Sequence, residues 1–170
     1  MAHSVVPDIE ARLKLEEDSS REEMQSLLGK TDFFCDLTRE EIEIVVPRIN
    51  AYKAKKGIKI FKQNERNTWL CILTAGKLLI IKHDGPGKDQ DIAVITPGKC
   101  IGEMSLIDEE PLSATVVAAE DCNILLINSE SFKKIIKDHP ELGNKLLFKI
   151  ASMLTSRLRS TTTLLAKQLS

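Results

Sequence analysis

The sequence predicts an α+β protein that is mainly β, an antiparallel sandwich or barrel with helices at both ends. Three observations carry this. Six short apolar runs lie between residues 58 and 127, each bounded by turn-forming residues. The apolar spacing is helical before about residue 49 and again after about residue 129. The last stretch holds a long apolar stripe with no Pro after Pro140 and no Gly after Gly143.

Residues 1–30 are largely polar and charged, with a thin apolar stripe at Ile9, Leu13, Met24, Leu27 and Leu28. This spacing predicts one or two amphipathic helices, weakest at Asp18-Ser19-Ser20, that pack on the body or act as a docking arm. Phe33, Phe34 and Leu37 precede Thr38-Arg39-Glu40-Glu41, which has the form of a capping box opening a helix. Ile42, Val45 and Val46 form the buried side of that helix, and Pro47 ends or kinks it. The predicted strands are Ile58–Phe61, Trp69–Ala75, Leu78–Lys82, Asp91–Ile95, Thr115–Ala119 and Asn123–Ile127. Leu70–Leu73 and Leu78–Ile81 are apolar in both phases, which predicts cover on both faces of those strands.

Asn128-Ser129 is a cap for a helix carrying Phe132, Ile135 and Ile136. Asp138, Pro140 and Glu141 mark a second start. The stripe Leu147, Ile150, Leu154, Leu158, Thr161, Leu165 and Leu169 then runs at steps of three and four. Such a helix is about 45 Å long at about 1.5 Å per residue. That exceeds what a small barrel can cover, so a homodimer through this helix is expected. The chain divides into a helical segment (1–30), a β body with flanking helices (31–140) and a C-terminal helix (141–170).

Composition excludes several functions. Lys+Arg number 24 against 25 Asp+Glu, a net charge of -1, where a nucleic-acid binder is usually basic. Trp69 and Tyr52 are each the sole residue of their kind, too few for a base-stacking platform. No apolar run is long enough to span a bilayer, and the first residues lack a basic head followed by an apolar stretch. Cys35, Cys71, Cys100 and Cys122 are far apart and mostly within apolar runs, as expected of free thiols in a reducing cytoplasm. His3, His83 and His139 are scattered, so no metal site is expected. Asp84-Gly85-Pro86-Gly87 is a hairpin loop and not a phosphate loop, because no helix follows.

One constellation carries chemistry: PGKCIGEMSLIDEEPLSATVV, from Pro97 to Val117. Gly102 permits a positive φ or a close backbone approach. Glu103-Met104-Ser105-Leu106-Ile107 can form one helical turn, whose free N–H groups suit an anion. The Glu103 carboxylate can accept hydrogen bonds from hydroxyls, and Ser113 and Thr115 can donate them.

This segment resembles the phosphate-binding cassette of the cyclic nucleotide-binding domain family. Gly102, Glu103, Met104, Ser105 and Leu106 match its first half; Pro111, Ser113, Ala114, Thr115 and Val116 match its second. Cys71–Gly76 resembles the family's first hairpin, and the resemblance covers about residues 30–165. It implies a β-roll, or jelly roll (a double-stranded β-helix), flanked by N-terminal helices and a long C-terminal helix. It also implies that amides near Met104, Ser105 and Ala114, with the Ser113 hydroxyl, hold the cyclic phosphate of cAMP or another cyclic nucleotide. Glu103 then receives the ribose 2′-OH. Thr161 and Thr162 stand where the catabolite-activator branch contacts the base from both subunits. One departure matters: the family's phosphate-pairing arginine falls at Leu112, beside the acidic Asp108, Glu109 and Glu110. Either another cation substitutes (Lys99, Arg66, Lys88 or Arg159), or cyclic nucleotide binding is weakened or lost.

The expectation is a cytoplasmic, non-enzymatic, dimeric sensor that signals through its C-terminal helix to an unidentified protein partner. It has no helix-turn-helix after that helix and so no direct nucleic-acid contact, and no membrane association. The alternative is an interaction or structural module with the same fold and no nucleotide.

Overall fold

The computed structural model describes residues 9–16, 20–85 and 89–168. Nine strands form two antiparallel sheets: β1 (Lys14–Leu15), β2 (Asn50–Ala54), β3 (Lys59–Phe61), β4 (Trp69–Ala75), β5 (Leu78–His83), β6 (Asp89–Ile95), β7 (Cys100–Ile101), β8 (Thr115–Ala118) and β9 (Cys122–Asn128). The five-stranded sheet has the order β1-β2-β9-β4-β7, and the four-stranded sheet β3-β8-β5-β6. The helices are α1 (Arg21–Gly29), α2 (Arg39–Val45), α3 (Glu103–Asp108), α4 (Ser129–Asp138) and α5 (Pro140–Gln168). This is the expected β-roll between helices.

The helices begin where the sequence places them. Ser20 caps α1 and Thr38 caps α2, each in a reciprocal capping box with Glu23 and Glu41. Asn128 accepts the Ser131 amide at 2.7 Å to open α4. A short 3-10 turn at Val46–Arg48, with Pro47 inside it, finishes α2.

The N-terminal segment is less helical than expected. A 3-10 turn at Ile9–Arg12 leads into β1, which pairs Lys14 with Lys53 and Leu15 with Tyr52. Ile9, Met24 and Leu28 are all buried in the body, so the described part of this segment is an integral layer. Asp18 and Ser19 lie outside the described residues.

Two cores follow from strand alternation. On β4, Leu70 and Ile72 face the helices, while Cys71 and Leu73 face the other sheet. On β9, Leu125 and Ile127 face the helices, and Ile124 and Leu126 the other sheet. These are the doubly covered strands. The expectation for Leu78–Ile81 is corrected: Leu78 is fully buried, but Leu79 and Ile81 lie half-buried on the outer face, next to exposed Ile92 and Val94 of β6. Burying a Leu or Ile side chain stabilises by about 1.5–3 kcal/mol. The first half of α5 contributes to this core through Leu142, Leu146 and Ile150.

β2 and β7 were not among the strands read from sequence. β2 carries Lys53 and Asn50 on a short edge-side run, and β7 has only two residues, so neither shows a period of its own.

Candidate functional site

β7 ends at Ile101, and the chain turns sharply at Gly102, which has φ of 87°. A side chain here is excluded twice. The φ is left-handed, and a Cβ would stand 2.6 Å from the Trp69 carbonyl and 3.0 Å from the Asn67 amide nitrogen. Asn67 is itself fixed, donating to the Trp69 carbonyl at 2.6 Å and accepting the Trp69 amide at 3.0 Å. β4 therefore sets the position of the bend, and α3 starts directly from it.

The bend opens on a cleft of about 200 Å³ between α3, the segment 110–114 and β5. Six of the eight residues expected in the site line it: Gly102, Glu103, Met104, Ser105, Ser113 and Ala114. Leu112, Ile80 and Phe61 supply apolar wall, and Asp108 and Glu110 supply acidic rim. The space beside the bend is not plugged.

Glu103 is only 1% exposed. Its Oε1 accepts from the Arg157 guanidinium, reaching in from α5, and Arg157 also donates to the Cys100 carbonyl at 2.7 Å. Its other oxygen, Oε2, is buried without a hydrogen-bond partner. A buried polar atom without a partner is rare in folded proteins and points to a missing donor. The neighbouring Cys100 thiol is pushed up to about 12 by burial and by the Glu103 charge, so it is an inert part of the wall.

Arg157 is a cleft residue that sequence reasoning missed. The signal was present: 150, 153, 157 continues the body-facing spacing of α5, and an arginine stands where an apolar residue is expected. Arg159 does not line the cleft, and Lys99 is paired with Asp32 on the surface. Lys88 lies outside the described residues.

The remaining expected residues are placed elsewhere. Thr161 and Thr162 do not line the cleft of the single chain; their hydroxyls donate to the carbonyls of Arg157 and Leu158 at 2.9 Å each, one turn back on exposed helix. Thr115 is turned away from the cleft. Its hydroxyl oxygen accepts the Gln63 amide and contacts His83 Nε2, each at 3.0 Å, while His83 Nδ1 meets Asp89 at 2.5 Å. The β8 alternation that buries Val116 inward forces Thr115 to the other face.

Comparison with known proteins agrees with this geometry. The family model for the cyclic nucleotide-binding domain matches residues 52–139. The chain is 30% identical over 126 residues to the cyclic AMP receptor protein of Thermus thermophilus, covering 74% of this chain and 56% of that protein. It is 22% identical over 143 residues to a CRP-like cAMP-activated global transcriptional regulator of Mycobacterium tuberculosis, covering 84% and 62%. The chain thus spans little more than half the length of these relatives. Among solved structures it is similar to a cyclic nucleotide-binding domain from Methylobacillus flagellatus (TM-score 0.76, 26% identity, 86% of this chain and 83% of that one). It is also similar to the Thermus thermophilus catabolite activator protein (TM-score 0.72, 28% identity, 81% and 63%). With the domain model matching more than half of its residues, the chain belongs to the cyclic nucleotide-binding domain family.

Proposed function

We propose that this chain is a non-enzymatic sensor domain that takes a cyclic nucleotide into the cleft beside Gly102 and transmits its presence through α5 to a partner protein. The observation that carries the reading is the orphaned Oε2 of Glu103, a buried atom of a residue that lines the cleft. A ribose hydroxyl is a donor of the right kind, and a hydrogen bond to a charged acceptor is worth about 1.5–3 kcal/mol. The first-turn amides of α3 have no acceptor within the helix and suit the phosphate. Because Arg157 holds Oε1 of the same carboxylate, a ligand on Oε2 is one side chain away from α5. Ligand binding then biases the position of that helix, and only through the difference in affinity between its two positions.

α5 also offers a pairing surface. Leu147, Ala151, Leu154, Leu158, Thr161 and Leu165 follow steps of four, three, four, three and four, the spacing of a two-stranded coiled coil. Leu158 and Leu165 are 67% and 54% exposed on the single chain, so a second copy is the partner proposed for this stripe. Pairing there would bring Thr161 and Thr162 of two subunits together.

Titration calorimetry of the full chain with cAMP and cGMP tests the reading. Saturable binding of either is expected. Absence of heat and of any thermal shift at millimolar ligand defeats it and favours the second reading, an interaction module on the same fold. That alternative is motivated by Leu112 and by Asp108 and Glu110 on the cleft rim.

A further inference from the structure

The cassette lacks its own cation, yet a nucleotide phosphate entering beside Leu112 would bring a negative charge toward Asp108 and Glu110. We propose that Lys82, on the neighbouring strand β5, supplies the positive charge for that anionic group. The proposal rests on the nucleotide reading above and adds a residue that neither the motif nor the resemblance indicates.

Alternation along β5 puts Leu78, Ile80 and Lys82 on one face. Leu78 is in the inter-sheet core and Ile80 lines the cleft; Lys82 is the next residue on that face and, though not itself part of the cleft lining, reaches the cleft's edge through Ser113. Its ammonium donates to the Ser113 carbonyl at 2.6 Å. Ser113 lines the cleft between Leu112 and Ala114, so the charge is anchored on the residue after the one where an arginine is missing.

Lys82 is also unspent. Eight other lysines, Lys53, Lys55, Lys62, Lys77, Lys99, Lys133, Lys145 and Lys149, each pair with a carboxylate. Among the described residues, Lys82 has no carboxylate at ion-pair distance. An ammonium has three donors, and one is used on Ser113. Arg157, the cation that lines the cleft, already divides its two terminal nitrogens between Glu103 and the Cys100 carbonyl. An ammonium acts as a point charge without the bidentate fork of an arginine, so it can serve a singly charged phosphodiester from a different direction.

The test is calorimetry of the full chain with cAMP, comparing wild type with Lys82→Met, Lys82→Gln and Lys82→Arg. Each variant is first checked for an unchanged thermal midpoint. Methionine and glutamine should each weaken binding about tenfold or more, and arginine should stay within about threefold of wild type. Glutamine keeps a donor for the Ser113 carbonyl without the charge. Wild-type affinity in Lys82→Gln would therefore reduce the lysine to a strut and overturn the proposal. So would a loss in Lys82→Arg equal to that in Lys82→Met. Should one variant be misfolded, the wild-type protein still decides: added salt must weaken cAMP binding, and a salt-independent affinity overturns the proposal. A wild-type protein that binds no cyclic nucleotide overturns the nucleotide reading, and this inference with it. A wild type that binds while every variant binds equally well overturns this inference alone.

Discussion

The guanidinium of Arg157 on α5 holds the carboxylate of Glu103 at the start of α3, joining the floor of the cleft to the C-terminal helix across 54 residues of sequence. Glu103 is buried, so the pair is not interchangeable with the surface ion pairs elsewhere on the molecule. Removing Arg157 leaves the carboxylate buried with neither oxygen satisfied by a side chain.

Arg157→Met should therefore lower the free energy of unfolding by about 1–3 kcal/mol, the cost of an unsatisfied buried acceptor. Glu103→Gln in the same chain should recover part of that loss, because it removes the stranded charge. A double-mutant cycle by urea unfolding checks this. Strict additivity of the two substitutions would show that the contact carries no coupling.

Gly102→Ala should destabilise by about 1–3 kcal/mol from the left-handed backbone alone, and further from the contact with the Trp69 carbonyl. Gly57 is the control. It also has a positive φ, of 86°, but a Cβ there meets nothing within 4 Å. Thermal midpoints should fall more for Gly102→Ala than for Gly57→Ala; equal losses would mean that the close approach at the bend has been relieved by backbone movement.

Leu112→Arg restores a guanidinium to the cassette. A hydrogen bond from a charged donor is worth about 1.5–3 kcal/mol, so cyclic nucleotide affinity should rise about tenfold or more. Calorimetry decides. An unchanged affinity would mean that position 112 does not face the bound phosphate.

Leu158→Glu with Leu165→Glu places charges at two seam positions of α5 one heptad apart, beyond the part of the helix that packs on the body. Sedimentation velocity should show a dimer for the wild type and a monomer for the variant, with the unfolding transition of the body retained. A dimeric variant would move the interface elsewhere.

The first half of α5 is docked by Lys145 on Glu41 and Lys149 on Asp36. The Lys145 ammonium, then the Thr38 amide, hold the Glu41 carboxyl below its ordinary 4.5, and Lys149 holds Asp36 below its ordinary 3.8. For groups depressed in the folded state, the stabilisation is complete above the ordinary value and disappears as pH falls through the lowered one. Stability should therefore decline below about pH 4.5, and Glu41→Gln should flatten that decline. Each pair has one exposed partner, Lys145 and Asp36, so the change is small. Urea midpoints measured across the acid range check the slope.

The sequence alone determined much of the local structure and the residues of the bend beside the cleft. The capping box at Thr38, the N-cap at Asn128, short apolar runs between turns, and Gly102-Glu103 before one helical turn are local signals, because they depend on backbone conformation within a few residues. Pairing partners are not local. β2 and β7 become strands only because β9 and β4 offer them unpaired edges, and Leu79 is only half-buried because it lies on the face of the four-stranded sheet turned away from the other sheet. Above all, the charges at the cleft were decided by the tertiary structure. Arg157 and Lys82 stand 54 and 31 residues from the groups they touch. No spacing rule reports such a meeting; it exists because helix packing and strand register place a long side chain within reach of an atom that burial has left without water.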